Sequence, residues 1–113
     1  MSARSWLRRT YIERDRRERA LREAMLAAGP ACADTDAALF TAPDVFEPEP
    51  VAVRQDREAA AKKICAACPA RTACLAYALA IRPTEGVWAG LSATEIRALS
   101  LYRPASEPGR EVA

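Results

Sequence analysis

Histidine is absent from this chain of 113 residues. Imidazole is the commonest metal ligand and a frequent general base, so its absence excludes mixed Cys/His zinc sites and Rieske-type centres. It also excludes catalytic arrangements in which a histidine activates a serine or a cysteine. A large group of hydrolases and metal sites is thereby removed from consideration.

Large side chains are scarce as well. The chain has two Phe, two Trp and three Tyr, and many of its apolar residues are alanine. A chain of this length forms at most one domain with a small core. Such a core usually needs a metal, a cluster, disulfides or a partner chain to be stable, and the four cysteines are the obvious candidates.

Long apolar runs are also missing. No stretch approaches the length of a membrane span, and the N-terminal arginines are not followed by the apolar segment of a secretory signal. We therefore expect a cytoplasmic protein without membrane contact. In that compartment thiols stay reduced, which favours metal or cluster ligation over structural disulfides.

The net charge of +2 conceals an uneven distribution, because residues 1–28 carry eight arginines against four acids. Residues 31–50 carry five acids and no Lys or Arg. A basic N-terminal segment can contact phosphates, or it can be a solvated helix with i,i+4 ion pairs such as Glu13–Arg17 and Glu18–Arg22. The candidate nucleic-acid contacts are Arg8, Arg9, Arg16, Arg17, Arg97 and Arg103.

Helix formers and breakers predict an all-α fold, a small bundle of about four helices. The predicted helices cover residues 4–28, 54–67, 69–82 and 93–102. Gly29-Pro30 ends the first helix, and Pro69 suits the first position of the third. Ser92 and Glu95 form a capping box for the last.

No convincing strand is visible, and the segment between the first two helices is irregular apart from a short helical turn at Leu39-Phe40. We divide the chain into an N-terminal basic helix over 1–28, a cysteine-containing domain over 29–102 and a flexible tail over 103–113.

The cysteine spacing is Cys32, then Cys65-x2-Cys68-x5-Cys74. On one straight helix Cys74 would lie about 180° around from Cys65 and about 13.5 Å along the axis. A break at Cys68-Pro69 lets the next helix fold back and turn Cys74 inward, while Cys32 approaches from the irregular loop. The sequence therefore predicts that the four cysteine sulfurs converge on one small ligand between a helical hairpin and a loop.

Several chemistries use four cysteines. Structural zinc sites usually come as two short Cys-x2–4-Cys pairs, unlike this spacing, and two disulfides or uncoordinated thiols suit the compartment poorly. A thiol–disulfide reductase could use Cys65 and Cys68, but such enzymes place the pair beside a strand of a βαβ unit. A [4Fe–4S] cluster needs four thiolates and tolerates irregular spacing. We therefore expect a cluster protein that is not an enzyme.

Three segments carry a resemblance to a known family. Residues 31–40 resemble the first-cysteine segment of WhiB-like proteins, which are transcriptional regulators of actinobacteria and their phages. Residues 65–79 are similar to their cysteine-rich core, and residues 86–91 to their signature turn. The three occur in the family's order and together cover about residues 31–100.

The resemblance implies an all-helical fold wrapped around a [4Fe–4S] cluster that is ligated by Cys32, Cys65, Cys68 and Cys74. It further implies that the cluster responds to oxygen and nitric oxide, that disulfides form in the apo protein, and that the C-terminal domain of the principal sigma factor is the partner. The residues expected at that interface are Trp88, Phe40, Gly86, Val87 and Gly90.

The sequence departs from the family's pattern at three places. One is Thr41, which follows Phe40 where the first-cysteine segment often has a second aromatic. Ala89 stands where the signature turn usually has a glycine, and an alanine would be strained there if the position requires a positive φ. DNA-binding members of the family tend to end in a basic tail, whereas the C-terminal residues of this chain are neutral in sum. We therefore expect contact with promoter DNA to be weak or indirect.

Overall fold

The computed structural model describes residues 2–43 and 47–102. Its four helices are α1 (Ala3–Ala27), α2 (Val51–Ala66), α3 (Arg71–Ile81) and α4 (Ala93–Leu101). Two short 3-10 helices, Ala31–Asp34 and Ala37–Leu39, lie between α1 and α2. The predicted helical class is confirmed. The predicted tail, with Arg103, lies outside the described residues.

Helix α1 starts where the Ser2 hydroxyl accepts a hydrogen bond from the Ser5 N–H, and it is followed by Gly29 at φ 76°. It packs against α3, and its half-buried apolar residues, Leu21 and Met25, lie in its C-terminal half. Residues 3–17 are exposed throughout. The half of α1 with most of the arginines is therefore exposed to solvent.

The ion pairs proposed along α1 are not the ones observed. In the described part of the chain α1 has one such pair, Arg19–Asp15 at 2.6 Å. The predicted pairs, Glu13–Arg17 and Glu18–Arg22, are not among the described ion pairs. Because these side chains are solvated, an exposed pair contributes little and its partners are weakly fixed.

The helix boundaries around the cysteines differ from the prediction for local reasons. Helix α2 starts three residues early because the Pro50 carbonyl accepts the Arg54 N–H at 3.0 Å. Helix α3 starts at Arg71, since a turn with the bonds Cys68 N–H to Cys65 O and Arg71 N–H to Cys68 O precedes it. Pro69 therefore lies in the connecting turn and not in the first turn of the helix.

The expectation that no strand is present was wrong. Two-residue strands β1 (Val87–Trp88) and β2 (Leu91–Ser92) pair antiparallel before α4. The two residues that join them, Ala89 and Gly90, have φ of 54° and 84°. Positive φ at both central residues is what a two-residue hairpin of the I′ type requires. The predicted capping box of Ser92 and Glu95 is present at the start of α4.

The core is small and rich in alanine. Ala61 and Ala78 are fully buried, and Ile96 is the largest fully buried side chain among the described residues. No helix in residues 2–43 and 47–102 has both the length and the apolar character needed to cross a membrane. A core of this kind contributes little hydrophobic stabilisation per residue.

Arg57 of α2 attaches the loop before α2 to the rest of the domain. Its Nε and an Nη donate to the two carboxylate oxygens of Glu49 at 2.7 and 3.0 Å, and its other Nη donates to the Leu39 carbonyl at 3.1 Å. The Arg57 and Glu49 side chains are only 12% and 11% exposed. The hydrogen bonds from Arg57 lower the pKa of Glu49. A bidentate pair of this geometry fixes both partners better than a single contact would.

Candidate metal centre

The four cysteines line one cavity of about 420 Å³. Cys32 comes from the first 3-10 helix, Cys65 from the last turn of α2, Cys68 from the connecting turn and Cys74 from α3. Cys65 is buried, Cys68 and Cys74 are half-buried, and Cys32 is exposed. The structure thus places around one cavity the four cysteines whose spacing predicts that they converge.

Backbone N–H groups point at three of the four sulfurs. The Ala31 N–H donates to the Cys68 Sγ at 3.3 Å. The Gly90 N–H interacts with the Cys65 thiol and the Ala89 N–H with the Cys74 thiol. Two of these donors come from the β1–β2 turn, whose positive φ values orient successive N–H groups toward the cavity.

Burial raises the pKa of the Cys65 thiol, and the neighbouring Cys68 and Cys32 add to the effect. Burial raises the pKa of the Cys74 thiol in the same way. The N–H groups of Gly90 and Ala89 act in the opposite direction on the respective pKa. The cavity without a cation therefore favours neutral thiols, whereas a bound cation would favour thiolates.

The donor atoms around the cavity bear on which metal groups could bind there. Among residues 2–43 and 47–102, no three Cys, Asp or Glu side chains are placed to hold one metal ion. Four thiolates on one zinc ion at 2.3 Å would lie roughly 3.8 Å apart. The donor set around the cavity is nonetheless rich in sulfur, which suits soft metals and iron–sulfur clusters.

Trp88 lies at the cavity, half-buried and held from two sides. Its Nε1 donates to the Glu85 carbonyl at 2.9 Å, and its ring lies 6.2 Å from the Tyr77 ring at a tilt of 58°. A Cβ on Gly86 would lie 2.9 Å from the Trp88 Nε1. Gly86 is therefore the residue that lets the indole fold back over the turn.

Phe40 and Val87 connect the first-cysteine loop to the turn. The Val87 N–H donates to the Phe40 carbonyl at 2.9 Å. Val87 is 6% exposed and clusters with Ala61 and Cys65, and Phe40 packs against that cluster. The residues predicted to contact a partner that line the cavity are Trp88, Phe40, Gly86 and Val87, whereas Gly90 is not among the lining residues.

The C-terminal end of α1 also reaches the cavity, which the division at residue 28 did not predict. Met25 and Leu26 line it. The apolar residues in the C-terminal half of this helix, such as Leu21 and Met25, carry the relevant signal in the sequence, but such a stripe does not show which element it packs against. Arg71 lines the cavity too.

The candidate nucleic-acid contacts lie away from the cavity lining. Arg8, Arg9, Arg16 and Arg17 are exposed on α1, and Arg97 is exposed on α4. The structure brings none of them into contact with the four cysteines.

A family model described as "Transcription factor WhiB" matches residues 27–99. The chain is 46% identical to the transcriptional regulator WhiD of Streptomyces coelicolor over 58% of its length and 55% of WhiD. It is 43% identical to the transcriptional regulator WhiB of the same organism over 60% of its length and 67% of that protein. It is also 39% identical to the redox-responsive transcriptional regulator WhiB3 of Mycolicibacterium smegmatis, over 64% of its length and 71% of WhiB3.

The fold and the site define a small helical protein that gathers four cysteines around one cavity beneath a tight turn. With the matched segment covering more than half of the chain, it belongs to the WhiB family of transcription factors. The resemblance stated from the three sequence segments is thereby confirmed.

Two glycines with positive φ provide a matched test of the turn. A Cβ at Gly86 would lie 2.9 Å from the Trp88 Nε1 and 3.1 Å from the Phe40 carbonyl oxygen, whereas one at Gly29 meets nothing within 4 Å. We expect Gly29→Ala to cost roughly 1–2 kcal/mol of unfolding free energy. Gly86→Ala should cost about 3 kcal/mol or more, because a steric clash adds to the backbone strain. Denaturant unfolding measures both, and equal losses would contradict the packing of Trp88 on Gly86.

The thiols provide a pH test in the reduced, metal-free chain. Because the folded pKa of Cys65 and Cys74 lies above the ordinary 9.0, alkylation by iodoacetamide should accelerate at these two residues only at a higher pH than in urea. The same shift means that the metal-free fold loses stability as pH rises through the ordinary thiol value, since the fold prefers the protonated form. Mass spectrometry assigns each site, and identical profiles with and without urea would contradict the burial of these thiols.

Proposed function

We propose that this chain is a transcriptional regulator that holds a [4Fe–4S] cluster on Cys32, Cys65, Cys68 and Cys74. The observation that carries the proposal is the convergence of all four cysteines on one cavity with backbone N–H donors beside three of them. Four thiolates are the ligand set that such clusters use, and hydrogen bonds to the sulfurs are among the features that set their potential. The residues present therefore fit the group.

The protein's own residues have three tasks at this site. The cysteines supply thiolates, and the N–H groups of Ala31, Ala89 and Gly90 partly offset the negative charge that four thiolates bring. The apolar lining limits the access of water. When bound, the cluster would supply a redox-active group that oxygen and nitric oxide can attack. One relative, WhiB3 of Mycolicibacterium smegmatis, is a redox-responsive transcriptional regulator by name, which favours the same chemistry.

For the partner we propose the C-terminal domain of the principal sigma factor, bound at the cavity mouth. Trp88, Phe40, Met25 and Leu26 line the cavity, and Leu26 is 48% exposed. Trp, Phe and Met are enriched in the buried centres of protein interfaces. The indole N–H of Trp88 is already bonded to the Glu85 carbonyl, so a partner would contact the face or edge of the ring.

Direct contact with promoter DNA would come from exposed arginines. Arg8, Arg9, Arg16 and Arg17 on α1 are exposed and belong to none of the described ion pairs. Phosphate contacts of this kind are sequence-independent and weaken steeply with salt. DNA binding by the isolated chain would therefore be weak, and promoter choice would rest mainly on the polymerase.

Anaerobic purification followed by absorption spectroscopy and analysis for iron and sulfide tests the cluster. We expect a brown protein with about four iron and four sulfide per chain, and loss of most of both in Cys32→Ala handled in air. Asp34→Ala, an exposed change on the same 3-10 helix, is the matched control and should keep them. A colourless protein containing zinc would overturn the proposal, and so would full iron occupancy in Cys32→Ala.

The two tryptophans provide a matched test of the partner surface. We expect Trp88→Ala to weaken binding of the isolated sigma domain at least about thirtyfold, because truncating a central interface tryptophan often costs about 2 kcal/mol. Trp6→Ala should leave it unchanged, since Trp6 is exposed on α1 and lies outside the cavity lining. Calorimetry measures the affinity, with iron content determined in parallel. If Trp88→Ala retains its iron and its affinity, the interface lies elsewhere.

A further inference from the structure

Arg71 joins the helical hairpin to the β1–β2 turn. It is the first residue of α3, between Cys68 and Cys74 in the chain, and it lines the cysteine cavity. Its Nε donates to the Ala89 carbonyl at 3.3 Å. An Nη and the Nε lie 3.4 and 3.7 Å from the position that a Cβ on Gly90 would take. One guanidinium thus lies against both central residues of the turn.

The turn needs an external constraint because one of its central residues is not a glycine. Ala89 has φ 54° and is only 5% exposed, so an L residue with a Cβ is held in the left-handed region inside the fold. Among residues 2–43 and 47–102, Arg71 is the only side chain from another element that donates a hydrogen bond to a backbone carbonyl of residues 88–91. The bond therefore acts at the most strained point of the turn.

The orientation of this turn matters for the sulfurs. The Ala89 N–H interacts with Cys74 and the Gly90 N–H with Cys65. The Gly90 N–H belongs to the same peptide group as the Ala89 carbonyl, so a rotation of that group would remove the interaction with Cys65 and change the backbone conformation of Ala89, whose own N–H faces Cys74. Because the carbonyl and the N–H of a trans peptide point in opposite directions, the guanidinium that binds the Ala89 carbonyl on one side fixes the direction of the Gly90 N–H on the other. Arg71 also places a positive charge beside the thiols.

We propose that Arg71 is a positioning residue for the cysteine centre, which holds the strained Ala89-Gly90 turn so that its two N–H groups face Cys74 and Cys65. The proposal rests on the function proposed above where it concerns a cluster, but the claim about the turn does not depend on which metal group is bound. A lysine would keep the positive charge, but it lacks the planar guanidinium group that donates through Nε, so it cannot replace this arginine.

The test is a double-mutant cycle of Arg71→Lys and Ala89→Gly on the full chain as purified. Hydrogen exchange, followed by mass spectrometry on a peptide covering residues 86–92, reports how often the turn opens. We expect Arg71→Lys to accelerate exchange there at least about tenfold, since a charged hydrogen bond is lost. Ala89→Gly removes the strain, so in that background the effect of Arg71→Lys should fall to about threefold or less.

Arg82→Lys is the matched control, because Arg82 is exposed at the other end of α3 and does not line the cavity; it should leave exchange in this peptide unchanged. Equal effects of Arg71→Lys in both backgrounds, or an equal effect of Arg82→Lys, would overturn the proposal. If Arg71→Lys alone does not accumulate as folded protein, Ala89→Gly must rescue it, and a failure to rescue would refute the proposal as well.

A second measurement separates this proposal from the cluster itself. If iron and sulfide are present, Arg71→Lys should bleach several-fold faster in air than the parent, and Ala89→Gly should reverse part of that change. If the chain holds another metal, the cluster proposal fails, but the exchange experiment still decides the role of Arg71. An unchanged bleaching rate with a normal cluster would show that the turn does not protect the sulfurs.

Discussion

Four sulfur atoms have to be held around one cavity by a chain whose core contains few large side chains. Alanines let the backbone of α2 and the β1–β2 turn approach closely, and that approach brings the Ala89 and Gly90 N–H groups to Cys74 and Cys65. Larger residues at Ala61 or Ala89 would add hydrophobic burial but keep these elements apart. The small side chains of the core therefore allow the backbone N–H groups of the turn to lie next to the sulfurs. The rest of the fold holds α2 and the turn at this short distance.

Two polar anchors compensate for the missing apolar mass. Arg57 binds Glu49 and the Leu39 carbonyl, which fixes the loop that follows Cys32. Arg71 binds the Ala89 carbonyl, which fixes the turn that covers the other cysteines. Each arginine lies on a helix and binds a backbone carbonyl that is 18 residues away in the sequence. A charge-assisted hydrogen bond to a backbone carbonyl can fix a segment without large apolar side chains, which suits a domain of this size.

The sequence predicted those features that depend on local chemistry. Ser92 and Glu95 gave the start of α4, and the break near Pro69 gave the inward turn of Cys74, because both follow from neighbouring residues. The β1–β2 hairpin escaped prediction because an alanine rarely adopts the positive φ found at Ala89. The contribution of Met25 also escaped, since the pairing of α1 with α3 is a long-range choice that helical periodicity cannot specify.

The four cysteines differ in how far solvent reaches them. Cys65 is buried in α2 and held by a hairpin of two helices, whereas Cys32 is exposed on a single 3-10 turn. The sulfur at position 32 also has a long connection, residues 33–64, to the next ligand in sequence. Of the four sulfurs, the one at position 32 is therefore the most accessible and is held by the shortest element, whereas the other three lie in or between α2 and α3. A reagent dissolved in water therefore reaches the sulfur at position 32 before it reaches the other three.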